Sequence, residues 1–441
     1  METIGFIFGG KSAEHEVSVI TAMQIISAYT KEECNVLPIF LDKSNNWFVF
    51  DAKKVVLSDF AREKLDAKIF LPVRLDKGEK CLILQRGKRA EKIKLDACVN
   101  LCHGGLGENG QLVGEFEACG IPISSGDSIG LGVAFDKVLS KFLCAADGIP
   151  VLPCVWFFKD EWENVPTKII SELNRMKFPL IVKPARQGSS IGISRVNNAT
   201  ELVSAVRVAF EFDNKVLVEH AIENAREFNC SALGMAGDDV MISDVDEPIK
   251  KHQLLSFEDK YIGDAKGVSI QKFGDAKGAG LINNGDGKGA GDARGSDLAC
   301  GSTGAFGEKT VSVGQAKNDD GGGAKAANSS GGIKGGALSA SGGRTYLKDA
   351  KLAKKVRELT AQAFRLHGLR GVCRVDFLFD PKRKKLYLNE INTIPGSLAF
   401  YFWTRAGMST TAFVDRLIEI AKTANARKAE LKDEYITKLL K

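Results

Sequence analysis

The sequence predicts an α/β fold built from several domains, on the basis of three observations. A short apolar run at residues 4–8 is followed by Gly9-Gly10 and by a helical pattern over residues 13–28, which is the strand–turn–helix order of a parallel sheet. The 441 residues are too many for one small core. Two alternating runs at residues 374–379 and 388–392 flank a polar turn and predict a β-hairpin.

The remaining elements divide the chain into three predicted domains. Strands at residues 36–41 and 96–101 and a helix at 112–119 complete a first domain, residues 1–124. The central domain, residues 125–219, contains helices at 136–146 and 201–212, strands at 180–184 and 216–219, and a Gly–Ser loop at 186–192. The last domain, residues 220–441, contains a helix at 351–367, the hairpin and a terminal helix at 411–423.

Residues 262–344 do not follow this pattern. They contain 23 of the 46 glycines, few large apolar residues and nearly balanced charges. Because such a composition buries too little apolar surface to offset the entropy of ordering, it predicts a flexible insertion. Aromatic residues and arginines are too sparse in it for a nucleic-acid-binding tract.

Composition narrows the functional classes. A net charge of +6 is mild for this length and does not indicate a nucleic-acid partner. No apolar run is long enough to span a membrane, and the first residues lack a signal-peptide pattern. We therefore expect a cytoplasmic protein. The ten cysteines lack the paired spacing of a zinc site and are expected to be reduced.

The hairpin carries the main functional signal. If its strands pair symmetrically about Arg383, Asp376 lies opposite Glu390. Arg374 then lies opposite Asn392, and alternation puts all four side chains on one face. Two opposed carboxylates repel unless a cation joins them, and carboxylate and amide oxygens suit Mg²⁺. The alternative is a solvated polar face with an Arg–Asp pair, and the hairpin alone does not decide between the two.

Two upstream segments have the character of a nucleotide site. Lys183 ends an apolar strand, and the loop at 186–192 can bring backbone N–H groups to phosphate oxygens. Glu219 ends a second apolar strand, where it could hold an adenine edge, and Glu227 could take ribose hydroxyls. Taken singly, these are also ordinary features: a turn between strands and charges at strand ends.

The order of these features resembles the ATP-grasp fold, and six motifs resemble those of the D-alanine–D-alanine ligases. They lie at residues 9–18 (GGKSAEHEVS), 103–110 (HGGLGENG), 183–192 (KPARQGSSIG), 259–261 (DKY), 374–376 (RVD) and 389–397 (NEINTIPGS). The resemblance covers nearly the whole chain except residues 262–344. It implies an ATP-grasp fold of three domains, α/β with an α+β ATP-binding part, and places the insertion in the active-site loop, directly after Lys260 and Tyr261.

The resemblance also implies a reaction. In this family ATP phosphorylates the carboxylate of one D-alanine, and the amine of a second D-alanine attacks the acyl phosphate, which yields a precursor for peptidoglycan. Two Mg²⁺ or Mn²⁺ ions would be held by Asp376, Glu390 and Asn392. The residues implied to bind ATP are Lys137, Lys183, Ser190, Glu219, Ile222, Glu227 and Lys260.

The amino-acid substrates are assigned in the same way. Glu14 would pair with the ammonium of the first D-alanine, with His103 nearby. Arg374 and the backbone N–H of Gly396 would face the oxyanion of the tetrahedral intermediate, where fixed donors lower the barrier. Other implied roles are a carboxylate contact from Ser397 and Leu398 and a hydrogen-bonded triad of Glu14, Ser189 and Tyr261.

Several alternatives remain at this point. Tyr261 favours dipeptide formation, since ligases that use D-lactate often carry a histidine there. The chain could still be another ATP-grasp carboxylate–amine ligase, or an ATP-binding protein without turnover. A dinucleotide-binding oxidoreductase is disfavoured because the GxGxxG pattern is missing. The resemblance further implies a possible homodimer.

Overall fold

The structure is a computed structural model that describes residues 1–62, 64–86, 89–248 and 344–431. The predicted insertion, except for its last residue, lies outside the described residues, as do Lys260 and Tyr261. Three β-sheets with packed helices form the described part of the chain. Every cysteine in these ranges is a free thiol, and none of their helices is both long and apolar enough to span a bilayer.

The first sheet has seven strands in the order β6-β5-β4-β3-β2-β1-β7. Its parallel part is β1 (Glu2–Gly9) between β2 (Cys34–Leu41) and β7 (Ala97–Asn100). The antiparallel part is β3 (Trp47–Val49), β4 (Leu71–Asp76), β5 (Cys81–Arg86) and β6 (Arg89–Lys94). The sequence analysis predicted the parallel part but not the antiparallel one, in which β3 has only three residues and β6 is almost wholly exposed.

Helices of the first part of the chain pack beside this sheet. α1 (His15–Ala28) follows the predicted Gly9-Gly10 turn, and α2 (Gly105–Glu108) and α3 (Gln111–Cys119) follow β7. α4 (Ser128–Phe135) and α5 (Lys137–Ala146) lead to the next sheet. Asp136 caps α5 by accepting hydrogen bonds from the N–H groups of Val138 and Leu139, which is why the helix begins where the sequence predicted.

The second sheet is antiparallel, in the order β10-β9-β11-β8. Its strands are β8 (Cys154–Phe158), β9 (Leu180–Pro184), β10 (Ser194–Val196) and β11 (Lys215–His220). The helices α6 (Lys159–Asn164), α7 (Pro166–Leu173) and α8 (Ala199–Phe210) accompany it. Leu202, Val206 and Val216 share one apolar core there, whereas Val138 of α5 packs against Leu217 in another cluster.

The third sheet has five antiparallel strands in the order β14-β13-β12-β15-β16. These are β12 (Arg226–Met235), β13 (Met241–Pro248), β14 (Arg344–Tyr346), β15 (Arg370–Asp380) and β16 (Lys385–Asn392). The remaining helices are α9 (Ala350–Leu366), α10 (Phe400–Arg405) and α11 (Thr410–Ala429). Val375, Phe377 and Phe364 are buried in its core, so the alternate residues of β15 face the opposite side.

Candidate active site

The hairpin of β15 and β16 brings the four predicted polar residues together. Asp376 pairs with Glu390, and Arg374 pairs with Asn392, as the sequence predicted. Arg374 donates from Nε and Nη2 to the two oxygens of Asp376, each at 2.7 Å. The Nδ2 of Asn392 donates to Asp376 Oδ2 at 2.9 Å. The Arg–Asp pair considered as an alternative is therefore present on the same face as the opposed carboxylates.

A one-residue bulge follows this register and was not predicted. Phe377 pairs with Leu388 rather than with Asn389, so the hairpin is not symmetric about Arg383. The bulge keeps Phe377 and Leu388 in the core while Glu390 stays on the polar face. Asn389 is the extra residue, and its Oδ1 accepts a hydrogen bond from Lys183 Nζ at 3.0 Å. The bulge thus links the hairpin to the second sheet.

The donor set fits a hard cation. Burial raises the pKa of Asp376; the guanidinium of Arg374 opposes this, while the charges of Glu390 and Glu227 add to it. Lys137 Nζ lies 3.3 Å from Glu390 Oε2, so two cationic side chains offset the opposed carboxylates. Two carboxylates and an amide on one sheet face are oxygen ligands of the kind that Mg²⁺ takes. The described residues, the hairpin included, contain no group of three His, Cys, Asp or Glu side chains that could hold a metal, so the Asn392 amide would have to complete this ligand set.

A buried ion cluster lies where the sequence predicted an adenine-binding acid. Glu219, at the end of β11, is 1% exposed. Lys183 donates to its Oε1, and Lys141 Nζ lies 3.0 Å from its Oε2. Burial alone would raise the pKa of Glu219, but the two ammonium groups lower it to about 2. Glu219 is therefore ionised at neutral pH and can accept hydrogen bonds from an amino group.

The Gly–Ser loop after β9 reaches across to the first sheet. Ser189 and Ser190 adopt left-handed backbone conformations, with φ of 49° and 62°, and Ser189 donates to Glu14 Oε1 although 175 residues separate them. A Cβ on Gly188 would lie 2.6 Å from Glu14 Oε2. Only glycine permits this approach, so the loop is shaped to meet Glu14. Lys137 Nζ also donates to the carbonyl oxygen of Gln187 in this loop, at 2.5 Å.

The surroundings of Glu14 hold a neutral histidine. Glu14 directly precedes α1 and is 5% exposed. His103 is 2% exposed, and its Nε2 lies 3.0 Å from Thr21 Oγ1. Burial, with the charge of Arg374 adding to it, lowers the pKa of His103 to about 4. An uncharged His103 leaves the Glu14 carboxylate to provide the charge that an ammonium group would meet.

The turn at Gly396–Ala399 follows the hairpin and lies against α1. Ser397 and Leu398 have positive φ values of 51° and 49°. Ser397 Oγ donates to Gln24 Oε1 at 3.0 Å, and the Ser397 N–H faces Thr21 Oγ1 at 3.3 Å. The side chain of Leu398 is only 1% exposed and packs in the apolar core. A substrate could therefore meet Leu398 only through its backbone.

Glu227 and Ile222, the other two described residues predicted to bind the nucleotide, lie on and before β12. Glu227 lies on β12 two residues before Asn229, which pairs with Asp376, so period-two alternation puts Glu227 on the same face as Asp376. Ile222 lies in the connection between β11 and β12. Lys260 and Tyr261 lie outside the described residues.

Sequence reasoning missed three residues of this region: Glu108, Lys141 and Asn389. Burial, with the charge of Glu14 adding to it, raises the pKa of Glu108 to about 8, and Glu108 Oε1 accepts from the Gly104 N–H at 2.9 Å. A signal existed for Lys141, because it follows Lys137 by one helical turn and so shares its face of α5. No sequence signal indicated Asn389, because the position of its side chain depends on the bulge.

Two family models match most of this chain. The family model described as D-ala D-ala ligase N-terminus matches residues 3–125. The model described as D-ala D-ala ligase C-terminus matches residues 143–277 and 344–419, so residues 278–343 are left unmatched. These boundaries put the unmatched segment within the glycine-rich region.

Characterised relatives span nearly the full chain. The D-alanine–D-alanine ligase of Thermosipho melanesiensis is 30% identical over 427 residues, which cover 95% of this chain and 93% of the relative. D-alanine–D-alanine ligase A of Escherichia coli K12 is 27% identical over 437 residues, which cover 97% of this chain and 98% of the relative.

Solved structures share the fold. The VanG D-Ala:D-Ser ligase from Enterococcus faecalis superimposes with a TM-score of 0.67 at 24% identity, covering 95% of this chain and 99% of the other. The D-alanine–D-alanine ligase from Coxiella burnetii gives a TM-score of 0.67 at 21% identity and covers 98% of each chain. The fold is therefore ATP-grasp. This chain belongs to the D-alanine–D-alanine ligase family, whose ATP-dependent reaction joins two D-alanine molecules for peptidoglycan precursor synthesis.

Proposed function

We propose that this chain forms D-alanyl-D-alanine in two steps at the face where the hairpin, the Gly–Ser loop and α1 meet. The γ-phosphoryl group of ATP passes to the carboxylate of one D-alanine, releasing ADP. The amine of a second D-alanine then attacks the acyl phosphate, and phosphate leaves. The observation that carries the proposal is the hydrogen bond from Ser189 to Glu14. It joins a loop whose backbone N–H groups can bind phosphate to a carboxylate that can bind an ammonium group.

We assign the nucleotide contacts to the second and third sheets. Glu219 would accept from the adenine amino group, and the backbone near Ile222 would complete that edge. Glu227 would take the ribose, while Lys137, Lys183 and Ser190 would meet the phosphates. Lys137 and Lys183 are 8% and 6% exposed, so little water competes for their charge. Lys260, which belongs to the family motif, would reach the terminal phosphates.

Asp376, Glu390 and Asn392 would hold two Mg²⁺ or Mn²⁺ ions. Such ions offset the charge of the phosphates and of the transferring phosphoryl group. With metal ions bound, the charges of Asp376 and Glu390 would be neutralised by the ions, so the ion pairs with Arg374 and Lys137 would no longer be needed for that. The pair with Asp376 uses two of the five N–H donors of the guanidinium. Arg374 would then act, with the Gly396 N–H, on the oxyanion of the tetrahedral intermediate.

The amino-acid substrates would lie between α1 and the turn at Gly396–Ala399. Glu14 would hold the first ammonium group. The Ser397 hydroxyl and the Leu398 backbone would meet the second carboxylate, with Ser397 giving up its bond to Gln24. Holding the charged reactants together and excluding water from the acyl phosphate would supply much of the rate gain.

The choice of second substrate, the assembly state and the location extend this proposal. Tyr261 supports an amine rather than D-lactate as the second substrate, and it would complete the triad with Glu14 and Ser189. We also propose a division into three domains at residues 1–124, 125–219 and 220–441, which the family resemblance implies. We propose a homodimer by family resemblance, which sedimentation velocity would test. The use of ATP supports a cytoplasmic location.

The proposal is tested by measuring ADP release from Mg-ATP with D-alanine, D-serine or D-lactate. D-Alanine should give the highest kcat/KM, with D-alanyl-D-alanine as the product. Glu390→Gln should lower kcat by roughly 10²-fold or more, since it removes a charged metal ligand. Glu419→Gln is the matched control, because Glu419 is 63% exposed. Equal rates for wild type and Glu390→Gln, or no dipeptide from D-alanine, would overturn it.

A further inference from the structure

A cavity lies on the side of α1 opposite the candidate active site. It has a volume of about 830 Å³ and opens between α1, β2 and the segment that follows β3. This segment includes a single-turn 3₁₀ helix, Leu57–Ala61, which forms one wall. Cavities of roughly 300–1,000 Å³ are typical of sites for small molecules. None of the residues assigned to ATP, metal or D-alanine lines it.

The floor of the cavity is aromatic. Phe40, Phe48, Phe60 and Phe70 line it, together with aliphatic side chains of α1. The ring of Phe60 lies 5.0 Å from that of Phe40 and 5.5 Å from that of Phe70, both in edge-to-face geometry. Phe40 and Phe70 are almost fully covered, whereas Phe48 and Phe60 are half-buried, so these two rings could contact another flat ring. The lining therefore favours an aromatic group over a polar or branched one.

The mouth of the cavity favours a negative charge. It is lined by two acids, Glu16 and Asp42, and three basic residues, Lys43, Arg62 and Lys64. Both acids are already engaged: Glu16 by Lys43 at 2.5 Å, and Asp42 by backbone N–H groups of Ser44 and Asn46 at 2.8 Å. Arg62 is paired with Asp59 at 2.7 Å. Lys64 has no ion pair with any residue that the structure describes, so its charge is available to a ligand.

We propose that this cavity binds a small aromatic anion, with its ring on Phe48 and Phe60 and its charge at Lys64. We further infer that binding is coupled to the D-alanine site through α1. His15 lines the cavity, its Nδ1 lies 2.8 Å from the Gly10 carbonyl oxygen, and it directly follows Glu14. The coupling rests on the proposed role of Glu14, whereas binding of the anion does not.

Binding is tested with 8-anilinonaphthalene-1-sulfonate, an aromatic anion whose fluorescence rises in apolar surroundings. The full-length protein is titrated with saturating Mg-ADP present, so that the nucleotide cleft is occupied. We expect one saturable site, with affinity reduced roughly tenfold in Lys64→Glu, since a charge-assisted contact is lost. Lys168→Glu, an exposed lysine on α7, makes the same change in net charge and should leave the affinity unchanged. Equal affinities in Lys64→Glu and Lys168→Glu would overturn the proposal.

A second variant tests the cavity itself. Leu57 lines the wall and is half-buried, so Leu57→Trp should place a larger side chain in the cavity and lower the affinity at least roughly tenfold while the circular dichroism spectrum stays native. An unchanged affinity in a folded Leu57→Trp protein would contradict the assignment. In wild type, the probe should change KM for the first D-alanine at least roughly threefold and leave KM for ATP constant. Binding without any change in KM would retain the site and refute only the coupling.

Discussion

Replacing Lys141 with methionine would test whether the buried ion cluster holds the central part of the molecule together. Lys141 and Glu219 are 2% and 1% exposed in their side chains, with Nζ 3.0 Å from Oε2. Lys183 contacts the other carboxylate oxygen. Methionine is close to lysine in length but carries no charge, so Lys141→Met removes the charge without opening a large cavity.

The magnitude follows from what the carboxylate loses. Breaking a buried ion pair by removing one partner costs about 3–5 kcal/mol, because the other charge stays buried. Lys183 remains on Glu219 in the variant, so we expect the lower end, about 3 kcal/mol. The exposed Lys159, whose Nζ is 4.0 Å from Glu163, provides the control: Lys159→Met should change the free energy of unfolding by less than about 0.5 kcal/mol.

The assay is urea denaturation at several pH values. The pKa of Glu219 is lowered in the folded state to about 2 from a normal value of 4.5. Stabilisation from its ionised form is therefore fully present above pH 4.5 and is lost as the pH falls toward 2. The difference in the free energy of unfolding between wild type and Lys141→Met should be constant above pH 5 and shrink below it.

The reasoning has a clear point of failure. In a Glu219→Gln background there is no carboxylate to leave unpaired, so Lys141→Met should cost much less than it does alone. The same loss in both backgrounds would show that Lys141 stabilises the protein by packing and not through Glu219. A loss below about 1 kcal/mol in the single variant would also refute it.

Three further predictions concern the site and the insertion. Gly188→Ala would place a Cβ 2.6 Å from Glu14 Oε2; we expect KM for the first D-alanine to rise at least roughly tenfold in steady-state kinetics, whereas an unchanged KM would exclude this contact from substrate binding. The pKa of Glu108 is raised to about 8 from 4.5, so the free energy of unfolding should fall as pH rises from 4.5 to 8, and Glu108→Gln should remove that slope. Deleting residues 266–340 should change kcat by less than roughly tenfold, because closure entropy grows slowly with loop length; a larger increase would show that the insertion hinders the reaction.

Local pattern was enough to predict much of the hairpin. The alternation at residues 374–379 identified the strand, and the pairing of Asp376 with Glu390 followed from where the turn lies. The bulge at Asn389 was beyond this reasoning. The sequence shows only that the apolar residues Leu388 and Ile391 are three positions apart, which breaks the period of two. This spacing indicates a bulge only once both residues are known to pack in the same core.

Short and charged elements were the other gap. Strands β3 to β6 add four members to the first sheet, yet β3 has three residues and five of the six residues of β6 are exposed. β3 and β6 are held by backbone pairing with a neighbour, which leaves no apolar period in the sequence. β5 is different, because its residues 81–84 form a buried apolar run that the sequence analysis did not identify as a strand. The aromatic cavity beside α1 was missed because its lining residues come from α1, β2 and the segment that contains the 3₁₀ helix Leu57–Ala61, which are separated in the sequence.

The sequence by itself determined which residues make up the site. It showed motifs in family order, two carboxylates and an amide on one face of a hairpin, and a glycine loop that can approach a charged group. Tertiary structure alone decided which of these meet. The contact of Ser189 with Glu14 spans 175 residues, and Lys137 of α5 reaches Glu390 of the hairpin at 3.3 Å. The structure was also needed to show that the Arg374 guanidinium pairs with Asp376. These contacts depend on how three separate sheets pack, and local periodicity carries no information about packing between them.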